Sequence, residues 1–118
     1  MERLQRIQDE RDVDALFRAD LAILYKHSPT CGMCTEALSE VEAFLGRYPD
    51  AVVYVVDVLA QRDLSQRIAA RSGVRHESPQ VIIVQRGTSR WAESHYGITV
   101  DTLTEQVRLA RREGEHGR

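Results

Sequence analysis

Cysteine is scarce in this chain: two residues among 118, both inside "SPTCGMCTEAL" (28–38). The first residues, "MERLQRIQDERD", lack the apolar core of a secretory signal, and the longest apolar run, "AVVYVV", is far too short to span a bilayer. A cytosolic location is therefore expected, where the thiol pool disfavours a structural disulfide. Two cysteines so close together then point to catalysis or metal binding. Charge of one sign is also lacking. The formal net charge of -2 gives no electrostatic case for a nucleic-acid or anionic-membrane partner. There is no internal repeat and no linker.

What is present is the composition of a globular domain, with 42% apolar and 29% charged residues. A chain of this length buries about two-thirds of its unfolded surface around one core, so a single domain over 1–118 is expected. "RLQRI" alternates like a short strand, and "DERDVDALFRAD" places Val13, Leu16 and Phe17 on one helical face behind Asp9 as N-cap. "LAILYKH" (21–27) and "AVVYVVDV" (51–58) are nearly continuous apolar and β-branched runs, as strands covered on both faces are. Between them, residues 32–47 carry Cys34, Ala37, Leu38, Val41, Phe44 and Leu45 on one stripe.

A third helix is expected over "RDLSQRIAARSG", with Leu64, Ile68 and Ala69 inward and Gly73 as its stop. "VIIVQRGTSRWAESH" reads as a hairpin turning at Gly87, with Trp91 packing rather than binding. Thr99 caps a last helix through Leu103, Val107 and Ala110, and the tail at about 113–118 frays once the apolar face is lost. The arginines of that helix read as a solvated face. The order β-α-β-α-β-α-β-β-α is that of an α/β thioredoxin-like fold, a central mixed sheet flanked by helices.

In this order Cys31 falls at the turn from the second strand into the second helix. Free backbone N–H groups and the helix dipole stabilise an anion there, and a thiolate is the attacking species in thiol chemistry. Cys31 is thus the candidate nucleophile. Cys34, one helical turn on, can meet the geometry of a disulfide and shares the apolar stripe, so it is the less exposed thiol and the candidate resolving group.

Three segments, "YKHSPTC", "GVRHESPQV" and "WAESHYGIT", resemble in this order the monothiol bacilliredoxin (YtxJ-like) family of the bacillithiol system, over about residues 13 to 107. The resemblance implies a cytoplasmic thiol–disulfide oxidoreductase that reduces mixed disulfides between proteins and bacillithiol, a low-molecular-weight thiol co-substrate. No cofactor is tightly bound. Cys31 takes the reactive position. The fold further implies a cis-proline at Pro79, beside the nucleophile, with the backbone of Ser78 open to substrate. Lys26, His27, Thr30, Arg75, His76 and Ser78 are candidate substrate contacts, with plain solvation as the alternative for Lys26, His27, Arg75 and His76.

Where family members usually carry Cys-Pro-Ile-Ser or a similar tetrapeptide with one cysteine, this chain has Cys31-Gly32-Met33-Cys34. Compared with thioredoxin proper, Thr30 replaces a tryptophan and Tyr25 stands where a buried aspartate assists proton transfer.

Two other readings use the same pair. A general thioredoxin- or glutaredoxin-like protein-disulfide reductase, recharged by a flavoprotein disulfide reductase, differs only in its electron supply. A metal- or iron–sulfur-binding module would need further ligands from His27 or a second chain, since a closed zinc site takes four.

Overall fold

The computed structural model describes residues 4–116, so Arg3 of the expected first strand and the last two residues of the tail lie outside the described part. The elements are β1 (Leu4–Arg6), α1 (Glu10–Arg18), β2 (Leu21–His27), α2 (Gly32–Arg47), β3 (Val53–Asp57), α3 (Arg62–Ser72), β4 (Gln80–Gln85), β5 (Thr88–Ser94) and α4 (Val100–His116). A single 3-10 turn, His95–Gly97, joins β5 to α4. The sheet order is β1-β3-β2-β4-β5. The first three strands in that order run parallel, β4 is antiparallel to β2, and β5 is antiparallel to β4.

The two nearly continuous apolar strands behave as their composition requires. Side chains alternate between the faces of a strand, and both faces of this sheet are covered. Ile23, Tyr25, Val53, Val81 and Ile83 pack with Ala37, Val41, Phe44 and Leu45 of α2 and Leu103, Val107 and Ala110 of α4. On the other face, Ala22, Leu24, Val56, Ile82 and Val84 pack with Val13, Leu16 and Phe17 of α1 and Ile68 of α3. Trp91 is half-buried against the α2/α4 layer.

Local signals end the elements where expected. Asp9 accepts from the Asp12 N–H at 3.2 Å to cap α1, and Thr99 Oγ1 accepts from the Thr102 N–H at 3.0 Å to cap α4. Gly73 ends α3 at φ 71°, a left-handed conformation that glycine adopts without a Cβ clash. The hairpin turns on Arg86 and Gly87, both at positive φ, as a two-residue type I′ turn requires. Further along, the β4–β5 register slips between Ile83 and Val84, which bulges the outer strand at Arg90.

Three details differ from the sequence expectation. In α3, Leu64 and Ala69 are only half-buried while Ser65 is buried, because α3 meets the sheet beside a polar cluster rather than an apolar one. Leu38 of α2 is likewise half-buried. Helix α4 continues to His116, past about 113 where the apolar face ends, with Glu113 paired to Arg90 and the Gly114 carbonyl accepting from Arg86 at 3.2 Å. Bonds back to the hairpin replace the lost apolar face.

Candidate active site

At the C-terminal end of β2 the chain turns through Ser28-Pro29-Thr30 and enters α2 with Cys31 as its N-cap residue. The turn is closed by the Cys31 N–H donating to the Ser28 carbonyl at 3.2 Å, and by the Cys34 N–H donating to the Cys31 carbonyl at 3.1 Å. Both thiols are free; Cys31 is half-exposed and Cys34 is fully buried. The two thiols therefore differ in access, with Cys34 on the buried apolar stripe and Cys31 at its open end.

Electrostatics separate the two thiols further. The Cys31 thiol is held below its ordinary value, first by a hydrogen bond from the Cys34 side chain and then by the backbone N–H groups of Cys34 and Met33. Burial pushes the Cys34 thiol up, against the opposing Ser28 N–H and Ser78 hydroxyl. Those two groups lie 3.4 Å and 3.6 Å from Cys34 Sγ. The outer cysteine is the readier thiolate of the pair, and burial favours the protonated form of the inner one.

Under the pair lies an arrangement that the sequence did not reveal. Tyr25, with no exposed surface, donates its hydroxyl proton to the Cys34 carbonyl at 3.0 Å. Its oxygen is also 2.8 Å from His27 Nδ1. A phenol has one proton to give, so His27 must be the donor in the second bond, carrying its proton on Nδ1. The result is a relay from His27 through Tyr25 to the first turn of α2. Burial lowers the His27 pKa while Asp57 opposes the change, and desolvation raises that of Tyr25 above its ordinary value. Period-two alternation puts residues 25 and 27 on one face of β2, and that signal was available in the sequence.

On the far side of the pair, the Ser78–Pro79 peptide bond is cis. Pro79 is buried, its carbonyl accepts from the His95 N–H at 3.1 Å, and the Ser78 hydroxyl faces Cys34. Thr30 is exposed beside the nucleophile, and its hydroxyl lies 3.3 Å from that of Ser28. Arg75 and His76 are exposed at the start of the loop that ends in Pro79. A small cleft of about 150 Å³ opens beside Met33, lined also by Glu36, His95, Tyr96 and Thr99. Tyr96, at 74% exposure, is a large side chain with little to hold it, and nothing in its sequence context marked it out.

Lys26 is placed otherwise than a ligand contact would be. It has no exposed surface and projects from the α1/α3 face of β2, opposite Gln80. Its ammonium lies 3.2 Å from His76 Nδ1, and desolvation lowers its pKa to about 8. Strand alternation explains this: His27 shares the α2 face with Tyr25, so Lys26 must turn inward under α3.

A sheet of this order, with a half-exposed N-cap cysteine backed by a buried one, defines a thioredoxin-fold thiol–disulfide oxidoreductase. The fold recurs in solved structures. A protein described as having a thioredoxin fold superposes with a TM-score of 0.81 at 28% identity, covering 87% of this chain and 92% of that one. The thioredoxin of Malassezia sympodialis gives 0.74 at 18% identity, over 93% and 92% of the two chains. The oxidised thioredoxin of Plasmodium falciparum gives 0.66 at 16%, over 94% and 98%. The family profile described as monothiol bacilliredoxin BrxC matches residues 2–103, and the chain belongs to that family. Within it, this member carries a dithiol, Cys31-Gly32-Met33-Cys34.

Among the described residues no helix is long and apolar enough to cross a membrane. No three metal-ligating side chains converge among them either.

Proposed function

We propose that the protein reduces mixed disulfides between bacillithiol and protein thiols in the cytoplasm, using Cys31 as nucleophile and Cys34 as resolving thiol. The observation that carries this reading is the placement of both cysteines on the first turn of α2 in a bacilliredoxin-family chain, one activated and half-exposed, the other buried behind it.

In the first step the Cys31 thiolate attacks the bacillithiol sulfur of the mixed disulfide, forming a Cys31–bacillithiol disulfide and expelling the target protein's thiolate. Cys34 then loses its proton and attacks Cys31 Sγ. That closes the Cys31–Cys34 disulfide and releases bacillithiol as a thiolate. The protein leaves the cycle oxidised by two electrons, and a thiol or a flavoprotein disulfide reductase must return them. Ser78 and Pro79 form the wall against which the incoming disulfide lies.

Bacillithiol carries malate carboxylates close to its sulfur, and Arg75 is the exposed cation on the loop approaching the site. Thr30 and Ser78 offer hydrogen bonds, whereas the enclosed Lys26 ammonium, with His76 Nδ1 turned to it at 3.2 Å, does not meet the ligand directly. The test offers one carrier protein, bacillithiolated or glutathionylated, to the reduced enzyme. The bacillithiolated form should react faster, and Arg75→Ala should narrow the gap without slowing reduction of an uncharged small disulfide. Because Arg75 is exposed, the preference should also shrink in high salt. Equal rates on both carriers, unchanged by Arg75→Ala, would leave a general protein-disulfide reductase. Stoichiometric metal in protein purified without oxygen would favour the metal-binding module instead.

A further inference from the structure

Beneath the loop 75–79, on the face of the sheet away from the cysteines, lies a buried polar cluster that the exchange chemistry does not use. Lys26 has no exposed surface, and Ser65 and Gln80 are each 2% exposed. Among the described residues no carboxylate comes within ion-pair distance of the Lys26 ammonium. What faces it is His76 Nδ1 at 3.2 Å. The Ser65 hydroxyl reaches the same nitrogen at 3.3 Å. Gln80 donates to the Arg75 carbonyl at 3.0 Å, which ties down the start of the loop, while its own Oε1 is buried without a partner.

Below its lowered pKa of about 8, Lys26 is an ammonium, and this constrains His76. An ammonium has only donors, so His76 Nδ1 must present its lone pair to Lys26, and the same lone pair accepts from Ser65. A neutral imidazole protonated on Nε2 satisfies both. Adding a proton places it on Nδ1, where it turns an acceptor into a cationic donor facing a buried cation. The Lys26 contact is then lost, while the Ser65 hydroxyl can only turn round to accept from the new N–H. Three residues along the same loop, Pro79 bonds to His95 through its carbonyl, and Ser78 touches Cys34 Sγ at 3.6 Å. The loop is thus pinned at one end by the Lys26 cluster and forms the wall of the cysteine site at the other.

We propose that Lys26 and His76 are positioning residues for thiol–disulfide exchange: their contact holds the 75–79 loop against the cysteine pair, and a proton on His76 releases it. The other charged groups facing His76 are Arg62 from α3 and, within the loop, Glu77, which is itself 3.8 Å from His95 Nε2. Burial, then Lys26, and to a lesser degree Arg62 hold His76 below its ordinary value, with Glu77 opposing, so the contact stays intact at neutral pH and fails as the medium becomes acid. The proposal concerns the exchange step itself and not the choice of thiol, so an uncharged substrate tests it.

The experiment compares the wild type with His76→Asn, whose Oδ1 sits where Nδ1 did, accepts from Lys26 and Ser65, and does not titrate. Position 76 is exposed at its outer edge, so the variant should fold. Single-turnover reduction of hydroxyethyl disulfide is followed from about pH 8 to pH 5, each rate divided by the thiolate fraction read from ultraviolet absorbance. Near pH 7.5 the two proteins should agree. At about pH 5 the wild type should be slower by roughly tenfold, the loss of about one well-made charge-assisted contact. A ratio that stays flat across the range overturns the proposal.

A second measurement does not depend on rates. In Lys26→Met, which keeps the length of the buried chain, the His76 pKa read by NMR should rise, because the neighbouring cation is gone. An unchanged value would also refute the coupling.

Discussion

Removing one oxygen from Tyr25 tests the relay beneath the cysteines. In Tyr25→Phe the ring remains in the α2/α4 layer, so no cavity of consequence forms and the loss is one of hydrogen bonding. The Cys34 carbonyl loses the phenol at 3.0 Å but keeps its place in the first turn of α2, so this side costs about 0.5 to 1.5 kcal/mol. The His27 Nδ1–H loses its acceptor at 2.8 Å. Being half-buried, His27 can move its proton to Nε2, which limits this second cost to a few tenths of a kcal/mol.

The sum is about 1 to 2 kcal/mol. For a domain of this size that lowers the melting temperature by about 3 to 8 °C. Thermal or urea unfolding measures it, and long-range nitrogen-15 NMR of His27 should show the Nδ1–H form in the wild type replaced by Nε2–H in the variant. Because the phenol bonds to the Cys34 carbonyl and to neither sulfur, the Cys31 thiolate titration should hardly move. A wild-type His27 protonated on Nε2, or a variant of undiminished stability, would refute the relay. A large shift in the Cys31 titration would instead give Tyr25 the part that a buried aspartate plays in thioredoxin.

Cys31→Ser should be inactive, whereas Cys34→Ser should accumulate a covalent adduct on Cys31 visible by intact mass; equal loss in both without an adduct would contradict the assigned roles. Asp57 accepts from the Leu59 N–H at 2.9 Å and the Ala60 N–H at 3.0 Å, and these bonds, Ala60 first, lower its pKa in the folded state. The stabilisation is therefore present above the unfolded value of about 3.9 and lost as pH falls through the lower folded one. Asp57→Ala should cost about 1 kcal/mol at neutral pH and much less at about pH 3, as urea titrations at the two pH values would show.

The fold was legible because local and global signals agree in this chain. β2 and β3 read as doubly covered strands from their continuous apolar runs, and Asp9, Gly73 and Thr99 punctuate the helices through their own backbone chemistry. The cysteine pair was legible for a similar reason: its chemistry depends on spacing and on a strand-to-helix turn, both local. What escaped reading depends on tertiary neighbours. Whether Lys26 turns to solvent or beneath α3 is decided by which face Tyr25 occupies and by a small residue, Ser65, arriving from α3 to leave it room. The roles of His76 and Gln80 likewise exist only because a loop and two strands meet. The continuation of α4 to His116 rests on Arg86 and Arg90, some two dozen residues away in sequence, and no helical pattern carries that information.

The two outer strands of the sheet carry a consequence of their own. β1 spans Leu4–Arg6 among the described residues, and β5 is kinked by its bulge at Arg90, with Glu93 adding a second charge along the strand. A sheet edge recruits a foreign chain when it offers a long, straight row of unpaired N–H and C=O groups. Here the β5 margin is bent and charged. A disulfide substrate that approaches the cysteine face thereby meets little flat backbone along β5 to zip onto, so contact there is left to the sulfur chemistry.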